Sequence, residues 1–422
     1  MTASHPGGAA APEAVRRADP LVWWNPHRVP AADVLDALPV TRADVQSARD
    51  LRARAAPLLA ALFPELAGAG GRIDSPLVPL PGGLVEALGG TGAERWFIKA
   101  DHALPVTGSI KARGGIHEVL GQAVRAARAM GFEGEDLDAL AGPEWQARFA
   151  DHAVLVGSTG NLGYSVGLAA RALGFQAEVH LSADAKAWKK DRLRAAGVQV
   201  VEHAADYTHA VGAARDKAAT LPRAHFVDDE TSRELFVGYA TAADDLARQL
   251  DAAGVVVDGA HPLQVIVPCG VGGAPGGLTL GLKQRWGDAV HCVVVEPVQS
   301  PAMLLQLVSG LDRRTSVYEA GLTNDTVADG LACAAASMLA AEVLRPLLTA
   351  AVTVSDARML HWVRRAWATA RLRLEPSAAA VFEAALALGR DARGRDATTH
   401  VLWTTGGAQL PAEAFEALLG SR

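Results

Sequence analysis

The stretch from Ala153 to Val201, AVLVGSTGNLGYSVGLAARALGFQAEVHLSADAKAWKKDRLRAAGVQVV, decides the fold. Ala153–Val156 is a short apolar run that predicts a strand, and Ser165–Leu173 has helical spacing closed by Gly174. Ala177–Leu181 predicts the next strand, Ala185–Ala196 a helix ended by Gly197, and Val198–Val201 a third strand. Moving outward, His209–Thr220 predicts a helix, His225–Val227 a strand and Leu235–Leu250 a helix. A second series has strand Leu263–Val267, a glycine-rich loop, a helix and strand His291–Val295. Ser377–Leu388 predicts a helix, Thr399–Trp403 a strand and Ala412–Leu419 a last helix, and the apolar Leu339–Ala351 is read as helix. Alternation of this kind gives an α/β chain with parallel-rich sheets flanked by helices. Ligands of such folds gather beyond the carboxyl ends of strands, so the chemically interesting residues should follow strands.

Composition narrows the function classes. The chain has 422 residues, half of them hydrophobic and a fifth charged, as expected of a two-domain globular enzyme. A net charge of −6 and the absence of a Lys/Arg run argue against nucleic acid as a partner. Cys269, Cys292 and Cys333 form no CxxC pair and cannot build a disulfide framework, which suits a reduced, cytoplasmic setting. Residues 1–20 read as a disordered arm of Ala, Gly and Pro with no signal-peptide core, and ordered structure is expected from Leu21-Val22-Trp23-Trp24. No apolar segment is long enough to span a bilayer. Thirteen histidines occur without HxH or HxxxH spacing, so a zinc site is not expected.

Four loops carry chemistry. Cys269-Gly270-Val271-Gly272-Gly273-Ala274-Pro275-Gly276-Gly277 follows a strand and opens a helix, so its N–H groups and the helix N-terminus suit one phosphate group. It has no Gly-Lys-Ser/Thr ending, and Glu296 at the end of the next strand keeps a dinucleotide site open from this loop alone. Thr107-Gly108-Ser109-Ile110-Lys111-Ala112-Arg113-Gly114-Gly115 sets one of only seven lysines among small and apolar residues. Desolvation there would favour the neutral amine that a Schiff base requires; the plainer reading is a pair of solvated cations at a helix start. Ser158-Thr159-Gly160-Asn161 follows a strand and suits a carboxylate at a helix N-terminus, with a simple capping cluster as the alternative. Trp403-Thr404-Thr405-Gly406-Gly407 offers a hydroxyl to a ring nitrogen, or is only a turn.

In order along the chain, GSIKARGG (108–115), GSTGNLG (157–163), SADAKAWKKDRL (182–193), DDETSRELFVGY (228–239), Pro268–Leu282, Glu296–Leu305, NDTVADGL (324–331), LEPSA (374–378) and His400–Gly407 resemble the D-serine dehydratases. These belong to the tryptophan-synthase-β-like class of pyridoxal-phosphate enzymes, PLP fold type II. The resemblance implies two lobes: a large cofactor-binding domain of 21–150 and 241–422, and a small domain of 151–240. It implies a chain acting as monomer or homodimer on a small amino acid. Lys111 would hold the cofactor and exchange protons at the substrate Cα. Asn161 would meet the cofactor's phenolic oxygen, and Ser158, Thr159 and Gly160 the substrate carboxylate. Gly270, Gly272 and Gly273 would hold the phosphate, and Thr405 the pyridine nitrogen. Glu296 would help bind a monovalent cation such as K+, or else cap or pair with a neighbour. The implied reaction converts D-serine to pyruvate and ammonia by α,β-elimination through aminoacrylate. Two further readings stay open: a related dehydratase acting on D-threonine, L-serine or L-threonine, and a cofactor-binding homologue of weakened turnover. Ala274 stands where the family has a glycine, and Ala334-Ala335 where it has Gly-Arg.

Overall fold

A computed structural model describes residues 13–158, 160–183, 185–204 and 207–420, with the backbone alone at 207 and 208. Thr159 and residues 1–12 of the expected arm therefore lie outside the described residues. The remainder of that arm carries a short helix, Glu13–Arg16, with Val15 buried. Among the described residues the strands are β1 (Val22–Trp24), β2 (Leu77–Pro79), β3 (Arg95–Lys99), β4 (Ala153–Gly157), β5 (Gln176–Ser182), β6 (Gln199–His203), β7 (Ala224–Val227), β8 (Leu263–Pro268), β9 (Val290–Pro297), β10 (Ala350–Val354) and β11 (Thr399–Trp403). No helix among them is long and apolar enough to cross a membrane.

The chain divides into two compact units, one of 1–41, 76–102 and 243–422, the other of 42–75 and 103–242. The first holds a seven-stranded sheet in the order β1-β10-β9-β8-β11-β3-β2, parallel except for β1 and β2 at its edges. β8, β10 and β11 are buried at every residue, the pattern of parallel strands covered on both faces. The helix Pro376–Leu388 packs across β8, β9, β10 and β11. Its opening proline suits a helix start, and its many alanines let it lie close to the sheet. Ile266, Val293, Val352, Leu402, Val381 and Phe382 belong to the resulting core.

The second unit holds a four-stranded parallel sheet in the order β6-β5-β4-β7. The helix Lys111–Ala129 packs against both Asn161–Leu173 and Arg233–Ala240. Two glycines make these approaches: a Cβ at Gly114 would lie 2.5 Å from Tyr239 Cζ, and one at Gly115 would lie 3.2 Å from Ser165 Cβ. Those contacts, together with the packing of Arg42–Leu62 on Arg233–Ala240, draw 42–75 and 103–150 into this unit. The division differs there from the domain boundaries expected from the sequence.

Two elements differ from expectation. The single helix expected over Leu235–Leu250 is two, Arg233–Ala240 and Ala242–Ala252, parted at Thr241, whose hydroxyl donates to the Gly238 carbonyl at 2.8 Å. Competition of a threonine hydroxyl for a helix carbonyl is a known local cause of bending. Leu339–Ala351 is helical only over Met338–Leu347, where Pro346 sits in the last turn, and the chain then enters β10.

Candidate active site

In the first unit β8, β9, β11 and β3 run parallel, so the loops that leave their carboxyl ends emerge along one edge of the sheet. After β8, the Cys269 N–H donates to Val295 O at 2.9 Å, and the helix Gly273–Trp286 begins four residues later. Between them, the N–H groups of Gly270, Val271, Gly272, Gly273 and Ala274 donate to no acceptor among the described residues, although 271–274 are buried. Buried amides without acceptors are costly and rare, so such a row points to a ligand that accepts from them. Gly272 takes φ +111, where an L side chain is strained, and its Cβ would lie 2.4 Å from Met303 Cε. At Gly270 a Cβ would lie 3.0 Å from the Gly330 carbonyl oxygen. The loop is a cradle of bare backbone at a helix N-terminus, and it fits a phosphate group.

β11 leads into Thr404 and Thr405, both buried. Thr404 is fully used: its N–H and hydroxyl donate to Lys99 O at 3.1 and 3.2 Å, and its hydroxyl meets His102 Nδ1 at 2.7 Å. Burial pushes the His102 imidazole down to about 4, which keeps it neutral near pH 7. Asp101 beside it accepts from Trp403 Nε1 at 2.8 Å. The Thr405 hydroxyl makes no hydrogen bond among the described residues, so of the two threonines it is the one left for a ligand. Behind it, a Cβ at Gly406 would lie 2.4 Å from Glu375 Oε1, and Gly407 takes φ +137. Ser377, two residues on from Glu375, has a buried hydroxyl without a partner among the described residues.

Glu296, at the end of β9, is fully buried. Its oxygens accept from Met303 N at 2.7 Å and Leu304 N at 2.9 Å, which makes it a cap for the helix Ala302–Ser309. Burial pushes its carboxyl up to about 8, against the pull of those two N–H groups. No cationic side chain pairs with it among the described residues.

In the second unit, Lys111 is the first residue of its helix, and its N–H donates to Ser109 Oγ at 3.2 Å. Its ammonium donates to Asp229 Oδ2 at 3.0 Å and Oδ1 at 3.2 Å, and stands 5.9 Å from the Tyr239 ring centroid. The apolar surroundings expected for Lys111 are thus corrected: a carboxylate from a residue 118 positions away faces it. Tyr239 is wholly buried with its hydroxyl unpartnered among the described residues, and burial raises its pKa while the nearby Lys111 charge pulls the other way. Arg113, also buried, donates to Ile73 O and pairs with Asp74 at 3.6 Å, so it is neither solvated nor available for substrate. After β4, Ser158 is buried and donates its N–H to His180 O at 2.9 Å, while its hydroxyl accepts from Gly160 N at 3.3 Å. Asn161 opens the helix Asn161–Leu173, and its carbonyl accepts from Ser165 Oγ at 2.8 Å.

Gly270, Gly272, Gly273, Thr405 and Glu296 therefore share the first unit, and Lys111, Ser158, Gly160 and Asn161 the second. Sequence reasoning did not single out Asp229, Tyr239, His102, Glu375 or Ser377. A signal existed for Asp229, because Asp228-Asp229 directly follows a predicted strand.

Comparison with known proteins agrees with this chemistry. A family model described as "Pyridoxal-phosphate dependent enzyme" matches residues 69–406. A protein of Rhizobium etli named "Probable D-serine dehydratase" is 51% identical over 417 residues, covering 95% of this chain and 93% of its own length. One of the same name from Burkholderia pseudomallei is 52% identical over 408 residues, 93% of this chain and 91% of its own. Among solved structures, diaminopropionate ammonia lyase of Escherichia coli superposes with a TM-score of 0.71 at 18% identity, covering 95% of this chain and 97% of that one.

Proposed function

The chain belongs to the pyridoxal-phosphate dependent enzymes, and from that premise we propose a D-serine ammonia-lyase in which Lys111 carries the cofactor. It converts D-serine to pyruvate and ammonia by α,β-elimination, a carbon–nitrogen lyase reaction that passes through released aminoacrylate. The observation that carries the reading is the row of acceptorless N–H groups from Gly270 to Ala274, which supports a phosphate-bearing ligand.

Gly270, Gly272 and Gly273 hold that phosphate, and Thr405 donates to or accepts from the ring nitrogen. A neutral partner leaves the ring less electron-withdrawing than a carboxylate would. When bound, pyridoxal phosphate supplies the electron sink for charge left at the substrate Cα. Lys111 would hold the cofactor and, as a neutral amine, would take the Cα proton; Asp229, 3.0 Å from its nitrogen, would face the ammonium that results. Ser158 and Gly160, with Thr159, orient the substrate carboxylate, and Asn161 addresses the phenolic oxygen. The β-hydroxyl leaves as water, and hydrolysis of aminoacrylate yields the ketoacid and ammonia.

A monovalent cation at Glu296 is a separable part of the reading. Its support is a buried carboxyl without a cationic partner among the described residues; the cap on Met303 and Leu304 accounts for the same group without a cation. Three free cysteines suit a cytoplasmic setting.

The test is borohydride reduction of the yellow protein followed by peptide mapping. The adduct should sit on Lys111, and Lys111→Ala should lose both adduct and lyase activity. An equal adduct on another lysine would defeat the assignment.

A further inference from the structure

Asp229 reaches Lys111 from a short loop, Asp228–Thr231, between β7 and the helix Arg233–Ala240. A carboxylate on a loop faces a fixed target only if both ends of the loop are tied. At the start, Asp228 Oδ1 accepts from Glu230 N at 3.0 Å, its carbonyl accepts from Ser232 N at 3.0 Å, and its Oδ2 accepts from exposed Arg215 at 3.0 Å. These ties are local or solvent-exposed. The ties to the scaffold come from Glu118, which is 2% exposed and sits two helical turns after Lys111. Its Oε1 meets His225 Nε2 at 2.9 Å, and its Oε2 accepts from Ser232 Oγ at 2.6 Å. His225 lies on β7 before the loop; Ser232 caps the helix after it by accepting from Leu235 N at 3.1 Å. One buried carboxylate thus grips the chain on both sides of Asp229, from the helix that carries Lys111.

We infer that Glu118 is a positioning residue for the elimination, holding His225 and Ser232 so that Asp229 stays aligned with the Lys111 amine. This rests on the proposed role of Lys111. Glu118 does not touch the amine. Ser232 is aligned by two bonds at once, to Glu118 and to Leu235 N, so loss of Glu118 frees the loop while the helix cap remains. The neighbouring His117–Glu234–Arg125 contacts lie on the same two helices outside the loop and supply a comparison that leaves Asp229 alone.

The experiment uses the holoenzyme. For the parent, Glu118→Ala, Glu118→Gln, a His225→Ala/Ser232→Ala double variant and the comparison variant Glu234→Gln, four quantities are measured. These are kcat and KM for D-serine, melting temperature, and amide hydrogen exchange of 228–232. A glutamine can keep both contacts, accepting from Ser232 and donating to the other tautomer of His225. Misplacement of a reacting group by about 1 Å costs up to roughly 100-fold. Glu118→Ala and the double variant should therefore lower kcat ~10–100-fold, with KM within about threefold, and speed exchange at 228–232. Glu118→Gln should restore kcat and exchange to near parental values, and Glu234→Gln should leave both unchanged. The double variant keeps the Glu118 charge. If it behaved as the parent while Glu118→Gln matched Glu118→Ala, charge and not anchoring would be the role, and the inference would be overturned. Equal loss in kcat and melting temperature, with exchange raised throughout both helices, would also overturn it by showing only a folding defect. A parent without D-serine turnover would refute the proposed activity, yet the exchange pattern would still decide the anchoring.

Discussion

Gly272→Ala tests the phosphate cradle at its most constrained point. The residue holds φ +111, and an added Cβ would lie 2.4 Å from Met303 Cε and 3.0 Å from Ala340 Cβ. The methionine tip is flexible and can move; the backbone strain stays, at about 1–3 kcal/mol for a side chain in so sparse a region. A loop that relaxes to escape the strain turns the Gly272 and Gly273 N–H groups away from their target. A hydrogen bond to a charged acceptor is worth about 1.5–3 kcal/mol, so losing the alignment of one should weaken phosphate binding roughly 10–100-fold. The assay titrates cofactor-depleted protein with pyridoxal phosphate and, separately, with pyridoxal, following the absorbance of the bound form. Pyridoxal phosphate should lose affinity by that factor, while pyridoxal, with no phosphate to hold, should change by less than about threefold. Gly310→Ala is the control, since Gly310 has φ +97 but nothing within 4 Å of an added Cβ, and both ligands should bind as to the parent. Equal losses for the two ligands, or none for the phosphorylated one, would refute the cradle.

Further predictions concern Glu296 and Thr405. Because the Glu296 carboxyl is raised to about 8, its favourable neutral form is fully present below the ordinary value of 4.5 and is lost as pH climbs through 8. Stability should fall with a slope approaching about 1.4 kcal/mol per pH unit within that window, and Glu296→Gln should flatten the slope in denaturation midpoints taken from pH 5 to 9. A slope unchanged in the variant would remove Glu296 as its source. If potassium binds the ionised carboxylate, it should raise the melting temperature more at pH 9 than at pH 6, relative to a bulky organic cation at equal ionic strength. Indifference at both pH values would eliminate the cation. Thr405→Asp should shift product from pyruvate toward transamination, and an unchanged ratio with cofactor still bound would count against Thr405 facing the ring.

The parts of the protein legible in sequence were those whose cause is local. Alternating apolar runs over Ala153–Val201 announced β4, β5 and β6 to within a few residues, because buried parallel strands and their crossover helices each leave their own period. The glycine loop at 270–273 was legible because bare backbone after a strand has few other uses. What depended on distant partners was not. Nothing near Lys111 reveals that Asp229 faces it, nor that Gly114 is bare because Tyr239 lies over it. The break at Thr241 hides inside a continuous helical period, and the short strand β3 gains its form from β11, some three hundred residues away, with β2 added at its free edge. Glu296 shows the middle case: its position at a strand end was readable, its grip on Met303 and Leu304 was not.

The most direct measurement is product release from purified, cofactor-saturated protein offered D-serine, L-serine, D-threonine and L-threonine in parallel, with Lys111→Ala alongside. D-serine should give pyruvate and ammonia in equal amounts and at the highest kcat/KM of the four, and the variant should give neither. A cofactor-loaded protein that releases no pyruvate from D-serine, or that prefers L-serine, would contradict the account.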